Sequence, residues 1–313
     1  MRSAGLFCTN EELWDAIRNA RGCSATGHAT QKNDVRHHSG AHVQQAFHAF
    51  SPTMVQIVTI FSSLTRATMA IPRLLHQTCP SRAALPTAVQ ANLQRLTERN
   101  PEWKHTVYED ADVMDYIRQH FEPEVFETVR TISPDYGVVL ADLFRYLVIY
   151  REGGVYLDIK STVNVPLRQA IQPSDAFLLS QWKNAKDQRW ENWGLHPELS
   201  QTPGGEFQQW FIVAEPGHPF LQSVIQATLH NIRNYRTDPC ATGKNGVLRL
   251  SGPICYTLAI LATLRTGRLP HQIVDIEERG FEYSIWPDHH RVPTHYAHRT
   301  SAIVLPRHDA CLA

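Results

Sequence analysis

The sequence lacks an excess of charge of either sign. It contains 30 Lys and Arg residues and 30 Asp and Glu residues among 313, so its formal charge is +0. Proteins that follow a nucleic-acid backbone carry a basic stripe, because the phosphates dominate their binding. The balanced charge therefore argues against nucleic acid as a partner.

Paired cysteines and long apolar runs are also missing. The six cysteines contain no C-x-x-C pair, which argues against a zinc ribbon or a small disulfide scaffold. The apolar run "MVQIVTIFSSL" from Met54 is shorter than the roughly 20 residues of a membrane span, and the first residues lack the apolar core of a signal peptide. We expect a cytoplasmic protein. The sequence is also compatible with peripheral association at the cytosolic surface of a membrane. A Golgi enzyme that had lost its anchor would have the same sequence features.

Two regions differ in composition. Residues 1–68 include a stretch rich in small, polar and His residues with little periodicity, which predicts a weakly ordered segment. From about residue 69 to 313, short apolar runs alternate with helical patterns. This alternation predicts a Rossmann-type α/β domain with a mostly parallel sheet flanked by helices.

The most unusual stretch is "VVLADLFRYLVIYREGGVYLDIKSTV", from Val138 to Val163. Helical spacing places Asp142 and Arg145 on one face together with Val138 and Ile149, so that we expect both charges to be buried. The simplest explanation is an i,i+3 ion pair. Buried ion pairs are seldom retained for stability alone, however, which favours a functional role.

A second carboxylate follows this helix. Gly153-Gly154 predicts the helix end, and "VYLDI" predicts a strand that places Asp158 near its carboxyl end. Ligands of open α/β sheets bind at that edge. The alternative is that Asp158 caps the following turn.

The segment "ADLFRYLVIYREGGVYLDIKSTVNVPL" resembles the sugar-binding region of family 32 glycosyltransferases. This family includes the fungal initiating α-1,6-mannosyltransferase and bacterial capsular polysaccharide enzymes. Four other segments carry weaker similarity, so that the resemblance covers residues 71–301: "IPRLLHQT", "EFQQWFIVAEPGHPFLQSVI", "RLSGPICYTLAI" and "HYAHRTSA".

The resemblance implies a GT-A-like fold and transfer of a hexose from a nucleotide diphosphate sugar (UDP- or GDP-linked) to a saccharide or lipid-linked acceptor, with retention of configuration. Asp142, Arg145 and Asp158 would be the catalytic and donor-binding residues. The two side chains on the helix would contact sugar hydroxyls, while Asp158 would contact the ribose and a divalent cation, Mn²⁺ or Mg²⁺.

The chain departs from the family pattern at Lys160, where the second carboxylate of the D-x-D motif is expected. An ammonium group repels a cation, because oxygen ligands hold Mg²⁺ and Mn²⁺. Three interpretations remain open. Asp158 and His298, with the diphosphate, hold a metal; Lys160 itself offsets the leaving-group charge; or the enzyme is inactive.

Less specific features of the sequence suggest further residues for donor and acceptor binding. Gln77, Glu206 and Gln209 are expected around the donor, and Glu206 is also a speculative catalytic base. The tryptophans of "SQWKNAKDQRWENWG" (Trp182, Trp190 and Trp193) are expected to stack on acceptor sugars, or else to pin a long loop to the core.

Two other classes of function compete with transfer. A nucleotide-sugar-binding protein without turnover is suggested by Lys160. A metallohydrolase is suggested by the C-terminal histidines His289, His290, His295 and His298, although no H-E-x-x-H motif accompanies them.

Overall fold

The computed structural model describes residues 71–237, 241–286 and 296–306. The predicted weakly ordered segment, residues 1–68, lies outside these ranges, and the domain boundary stays a prediction. The helices are α1 (Thr87–Arg99), α2 (Asp110–His120), α3 (Pro123–Val129), α4 (Gly137–Glu152), α5 (Leu167–Ala170), α6 (Pro219–Arg233), α7 (Gly243–Leu250) and α8 (Pro253–Thr266). The strands are β1 (Leu74–Cys79), β2 (Lys104–Glu109), β3 (Gly154–Leu157), β4 (Thr162–Val163), β5 (Phe177–Leu179), β6 (Phe211–Ala214), β7 (Gln272–Ile273) and β8 (Phe281–Glu282).

Six strands form the central sheet in the order β2-β1-β3-β6-β5-β7. The pairs β2–β1, β1–β3 and β5–β7 are parallel, whereas β6 is antiparallel to both of its neighbours, β3 and β5. Apolar side chains of the sheet pack against helices to form the main core. The predicted mixed α/β fold with a mostly parallel sheet is confirmed, and β6 is its single reversed strand.

The central helix α4 lies in the middle of this core. Leu143, Phe144 and Leu147 are buried on its apolar side, and Asp142 and Arg145 are also buried, with 1% and 4% exposure. Both charged residues therefore lie inside the protein, as their helical spacing predicts.

Two glycines connect α4 to β3. Gly153 has φ +70° and Gly154 has φ +96°, a backbone conformation that side chains with a Cβ rarely adopt. A Cβ on Gly154 would lie 2.5 Å from the carbonyl oxygen of Leu74 in β1. Glycine is thus required here for both the backbone turn and the close approach of two strands.

A small two-stranded sheet holds a later part of the chain against the residues that follow β3. Strand β4 pairs with β8, the Ser161 hydroxyl donates to the carbonyl of Tyr283 (2.6 Å), and the N–H of Ile285 donates to the carbonyl of Lys160 (2.8 Å). These contacts place the Tyr283 ring beside the Lys160 side chain.

One stretch, residues 243–266, has the length and hydropathy of a membrane span, but 61% of its apolar window is buried within the fold. The chain is divided there into α7 and α8. Its apolar composition is accounted for by packing in the core.

Candidate active site

The three charged residues of the central segment meet at one point. The Nη2 atom of Arg145 lies 3.0 Å from Oδ1 of Asp142 and 3.0 Å from Oδ1 of Asp158. Arg145 comes from α4 and Asp158 directly follows β3, so the Gly153-Gly154 turn brings the two elements together. The guanidinium therefore bridges a carboxylate on its own helix and one at the end of the neighbouring strand.

Arg145 contacts protein atoms through each of its three nitrogens. Besides the two ion pairs of Nη2, Nη1 donates to the backbone oxygen and to the side-chain oxygen of Gln209 (2.8 and 2.9 Å), and Nε donates to the carbonyl of Ala141 (3.4 Å). These hydrogen bonds hold the guanidinium in place, so that its charge lies between the two carboxylates.

Asp142 is held on both of its oxygens. Oδ1 lies 3.0 Å from Nη2 of Arg145 and accepts from the amide of Gln209 (3.2 Å), and Oδ2 accepts from the hydroxyl of Ser251 (2.7 Å). Burial raises the pKa of the Asp142 carboxyl, and Arg145 and Ser251 oppose this shift by stabilising the carboxylate. A carboxylate offers about four acceptor positions, so Oδ2 keeps room for one further donor such as a hydroxyl.

Two residues of this network were missed in the sequence. Ser251, which lies in the segment "RLSGPICYTLAI", donates a hydrogen bond to Asp142 from 109 positions away. The Tyr146 hydroxyl lies 2.7 Å from both the Gln209 side-chain oxygen and the Ser251 carbonyl. Tyr146 lies one residue beyond Arg145 on α4, but no local pattern links Ser251 to this helix.

Asp158 and Lys160 form the more exposed end of the cluster. Nζ of Lys160 donates to Oδ2 of Asp158 at 2.5 Å and lies 4.8 Å from the centre of the Tyr283 ring. The two side chains are 16–17% exposed, against 2–4% for Asp142 and Arg145. A ligand that approaches from solvent therefore reaches Asp158 and Lys160 first.

The residues present do not fit a divalent cation at Asp158. Both of its oxygens already face cationic groups, because Oδ1 lies 3.0 Å from Nη2 of Arg145 and Oδ2 accepts from Nζ of Lys160. An Mg²⁺ ion about 2.1 Å from Oδ2 would lie within about 4.6 Å of Nζ, because Nζ is only 2.5 Å from the same oxygen. Nor do the described residues contain a group of three or more His, Cys, Asp or Glu side chains suited to a metal.

A literal D-x-D sequence exists elsewhere, at Asp110-Ala111-Asp112. These residues begin α2 and are exposed, and Asp112 accepts a hydrogen bond from the N–H of Glu109 in a capping box. Their carboxylates are explained by the helix start. The sequence Asp158-Ile159-Lys160 is the one that lies with the buried charge cluster.

Gln77 supports the backbone beside the cluster. Its amide donates to the carbonyl of Asp158 (3.1 Å), and its oxygen lies 2.9 Å from Nε2 of His105. Burial lowers the pKa of His105 to about 4, so this ring is neutral and donates to Gln77 at neutral pH. The expected role of Gln77 in donor binding stays a prediction, as does that of Gln209.

The loop of residues 181–206 is fastened through Glu206. Its two carboxylate oxygens lie 2.7 Å from the indole nitrogen of Trp182 and 2.6 Å from Nε2 of His196. This pairing favours a loop-anchoring role for Glu206 over the speculative role as a base. Trp190 is likewise anchored, since its indole donates to Glu277 (2.9 Å).

The three tryptophans form one aromatic cluster with Tyr283. The Tyr283 ring centre lies 5.1 Å from that of Trp182, 5.8 Å from that of Trp190 and 6.0 Å from that of Trp193. Trp182 is buried, whereas Trp193 is 43% exposed. The cluster thus pins the loop and also presents an aromatic surface, and Tyr283 links it to Lys160.

The C-terminal histidines are only partly described. His289, His290 and His295 lie outside the described residues, and His298 ends a short 3₁₀ helix, Tyr296–His298. The expected role of His298 as a metal ligand stays a prediction. Tyr296 was missed: burial raises the pKa of its phenol, and the negative charge of Asp142 adds to the shift, which places this ring near the cluster.

Comparisons with known proteins identify similar sequences over the segment that contains this cluster. The family described as "Glycosyltransferase sugar-binding region containing DXD motif" matches residues 86–178. An initiation-specific alpha-1,6-mannosyltransferase of Candida albicans is 30% identical over 136 residues, which are 42% of this chain and 35% of that protein. Inositol phosphoceramide mannosyltransferase 1 of Schizosaccharomyces pombe is 24% identical over 194 residues, 60% of this chain and 52% of that protein.

The chain spans about half, or less, of the length of these curated relatives. Among solved structures, the PaToxG glycosyltransferase is similar with a TM-score of 0.45 and 15% identity, over 63% of this chain and 71% of that one. The matched range contains Asp142, Arg145, Asp158 and Lys160. Residues 86–178 of this chain are therefore similar to the sugar-binding region of glycosyltransferases that contain a DXD motif.

Proposed function

We propose that this protein transfers a hexose from a nucleotide diphosphate sugar to a saccharide or lipid-linked acceptor. The observation that carries the proposal is the Arg145 guanidinium 3.0 Å from both Asp142 and Asp158 at the end of β3. Buried charges are costly unless they are paired, and a pocket that recognises hydroxyl groups needs such fixed polar atoms. The family match over the same residues supports a sugar nucleotide as the ligand.

The transfer replaces one bond to the anomeric carbon by another. The bond between this carbon and the β-phosphate oxygen breaks, and its electron pair stays on the released nucleoside diphosphate. The acceptor hydroxyl oxygen forms the new bond, and its proton passes to the released diphosphate or to water. Retention of configuration is part of the proposal and is carried over from the resemblance to the family.

The residues at the site divide this work. Asp142, held by Arg145, Gln209 and Ser251, is proposed to accept a hydrogen bond from a sugar hydroxyl, and these three contacts support that role. Because its partners hold the carboxylate rigidly, little ordering is needed when the sugar binds. Asp158 and Lys160 lie at the accessible end and meet the diphosphate side of the donor.

The exposed Trp193 and its aromatic neighbours are the proposed acceptor surface. Flat aromatic faces pack well against sugar rings, and this cluster reaches the charge centre through Tyr283. The two relatives are named as mannosyltransferases, one of them acting on inositol phosphoceramide. Mannose is therefore the first donor sugar to test, and both a saccharide and a lipid-linked acceptor belong in the assay.

The test is a thermal-shift panel of UDP- and GDP-linked hexoses, followed by measurement of nucleotide release. A bound donor raises the melting temperature by mass action, and we expect one sugar nucleotide to do so. Asp142→Asn should abolish the shift, whereas Asp115→Asn on the exposed face of α2 should preserve it. A melting temperature that stays unchanged with every sugar nucleotide contradicts the proposal.

The same panel tests the second candidate, a binding protein without turnover, which the Lys160–Asp158 pair favours. A donor that binds but releases no nucleotide with any acceptor supports that alternative. Release of nucleotide that depends on an added acceptor supports transfer.

A further inference from the structure

The charges around Asp158 are already balanced within the protein. Asp142 and Asp158 are two acids, Arg145 and Lys160 are two bases, and each acid lies within 3.0 Å of a base. A carboxylate at position 160, as the D-x-D pattern expects, would leave the same cluster with a charge of two negative units. That deficit equals the charge of one divalent cation.

We infer that Lys160 performs the electrostatic work of a divalent cation in this site, so that the protein binds a nucleoside diphosphate and stabilises its departure without metal. The inference rests on the proposed function, since it takes a sugar nucleotide as the ligand. It assigns Lys160 as a catalytic residue that contacts the diphosphate.

The position of Lys160 supports this assignment. Its Nζ is 2.5 Å from Asp158 and 4.8 Å from the Tyr283 ring centre, which leaves the ammonium fixed between a carboxylate and an aromatic face. The backbone is fastened as well, because the Lys160 carbonyl accepts from Ile285. An ammonium held this way is preorganised for a phosphate oxygen, and fixed charges stabilise a leaving group best.

The charge state also supports it. The Asp158 carboxylate, whose Oδ2 lies 2.5 Å from Nζ, stabilises the charged ammonium form of Lys160. When a diphosphate arrives, a phosphate oxygen competes with Oδ2 of Asp158 for the three hydrogens of Nζ, and the ammonium can bind both at once.

The exposure of the cluster gives the direction of approach. Asp158 and Lys160 are the accessible members, whereas Asp142 and Arg145 lie behind them. A ligand that enters here places its charged diphosphate at Lys160 and its sugar toward Asp142. The same order is the one that transfer requires, with the leaving group at one end and the hexose held at the other.

The experiment measures binding of GDP and UDP by calorimetry, in EDTA and in MnCl₂, for wild type, Lys160→Met and Lys160→Asp. Wild type should bind one nucleotide equally well in both solutions. Lys160→Met, of similar length but neutral, should bind about 10- to 100-fold more weakly in both, as expected for the loss of a charge-assisted hydrogen bond. Lys160→Asp should bind weakly in EDTA and regain affinity in Mn²⁺, because the acidic deficit is then filled by the ion.

A second readout is independent of nucleotide. Electron paramagnetic resonance of free Mn²⁺ should report a bound ion for Lys160→Asp and none for wild type at the same protein concentration. Circular dichroism and thermal melts of each variant establish that it is folded. Lys160→Met keeps the test informative if Lys160→Asp does not fold.

The outcomes separate the inference from the proposed function. Wild-type binding that EDTA abolishes, or Lys160→Met binding that equals wild type, overturns the inference and leaves the proposed function standing. Wild type that binds neither nucleotide in either solution overturns both.

Discussion

Replacing Arg145 by methionine removes the cation that lies between two carboxylates. Asp142 and Asp158 each have an oxygen 3.0 Å from the same Arg145 nitrogen, so these oxygens are no more than about 6 Å apart. The Asp142 side chain is 2% exposed, so water cannot solvate its charge once Arg145 is removed. Breaking such a buried pair from one side costs about 3–5 kcal/mol in the free energy of unfolding.

The surface of the same protein supplies the matched control. Glu127 and Arg130 form an i,i+3 pair at 3.2 Å, but their side chains are more than half exposed. Arg130→Met should therefore cost less than about 1 kcal/mol. The two substitutions remove the same chemical group at the same spacing from a carboxylate, but Arg145 is buried and also faces a second carboxylate, Asp158.

The assay is urea unfolding followed by circular dichroism. The cost of Arg145→Met should be larger near about pH 8 than near about pH 5, because without Arg145 the buried Asp142 takes up a proton in the folded state and loses it as the pH rises. The double variant Asp142→Asn/Arg145→Met should recover part of the loss, since no unpaired charge is left at position 142. A cost for Arg145→Met equal to that of Arg130→Met would refute the buried network.

Two further predictions concern stability. Gly154→Ala should destabilise the protein by more than about 1 kcal/mol in urea unfolding, because the φ of Gly154 is +96° and the added Cβ would lie 2.5 Å from the Leu74 carbonyl oxygen. The control is Gly137→Ala, in open space at the start of α4, which should be neutral or stabilising by up to about 1 kcal/mol. Equal changes in stability at the two sites would contradict this prediction. Burial, opposed by Glu152, lowers the pKa of His76 from 6.5 to about 4, so the unfolded ring binds a proton below pH 6.5 while the folded one stays neutral. The wild type should therefore lose about 2 kcal/mol more stability than His76→Asn between about pH 7 and pH 5, and parallel pH profiles would show that His76 does not titrate in this way.

Local patterns in the sequence predicted most of the elements around the site. The helical spacing of Asp142 and Arg145 with Val138 and Ile149 corresponds to α4, the Gly153-Gly154 pair to the end of that helix, and "VYLDI" to β3. These features depend on residues within one or two turns of each other, which is why a single sequence is sufficient to predict them.

The reversed direction of β6 was not predictable in the same way. No helix of more than three residues lies between β5 and β6, so the connection does not enforce a parallel crossover. Apolar residues in "WFIV" predict a buried strand whichever way it runs. Its direction follows from pairing with β3, where Tyr156 lies opposite Ile212.

The sequence by itself determined that Asp142 and Arg145 are buried on one helix face, that Asp158 lies at the carboxyl end of a strand, and that Lys160 replaces an expected carboxylate. Only the tertiary structure decided that Arg145 bridges both acids, that Ser251 supports Asp142 and that Tyr283 stands over Lys160. Helical periodicity and turn formation depend on residues that are close in the chain, so they can be predicted from the local sequence. Contacts between residues about 110–120 positions apart are set by how helices and strands pack.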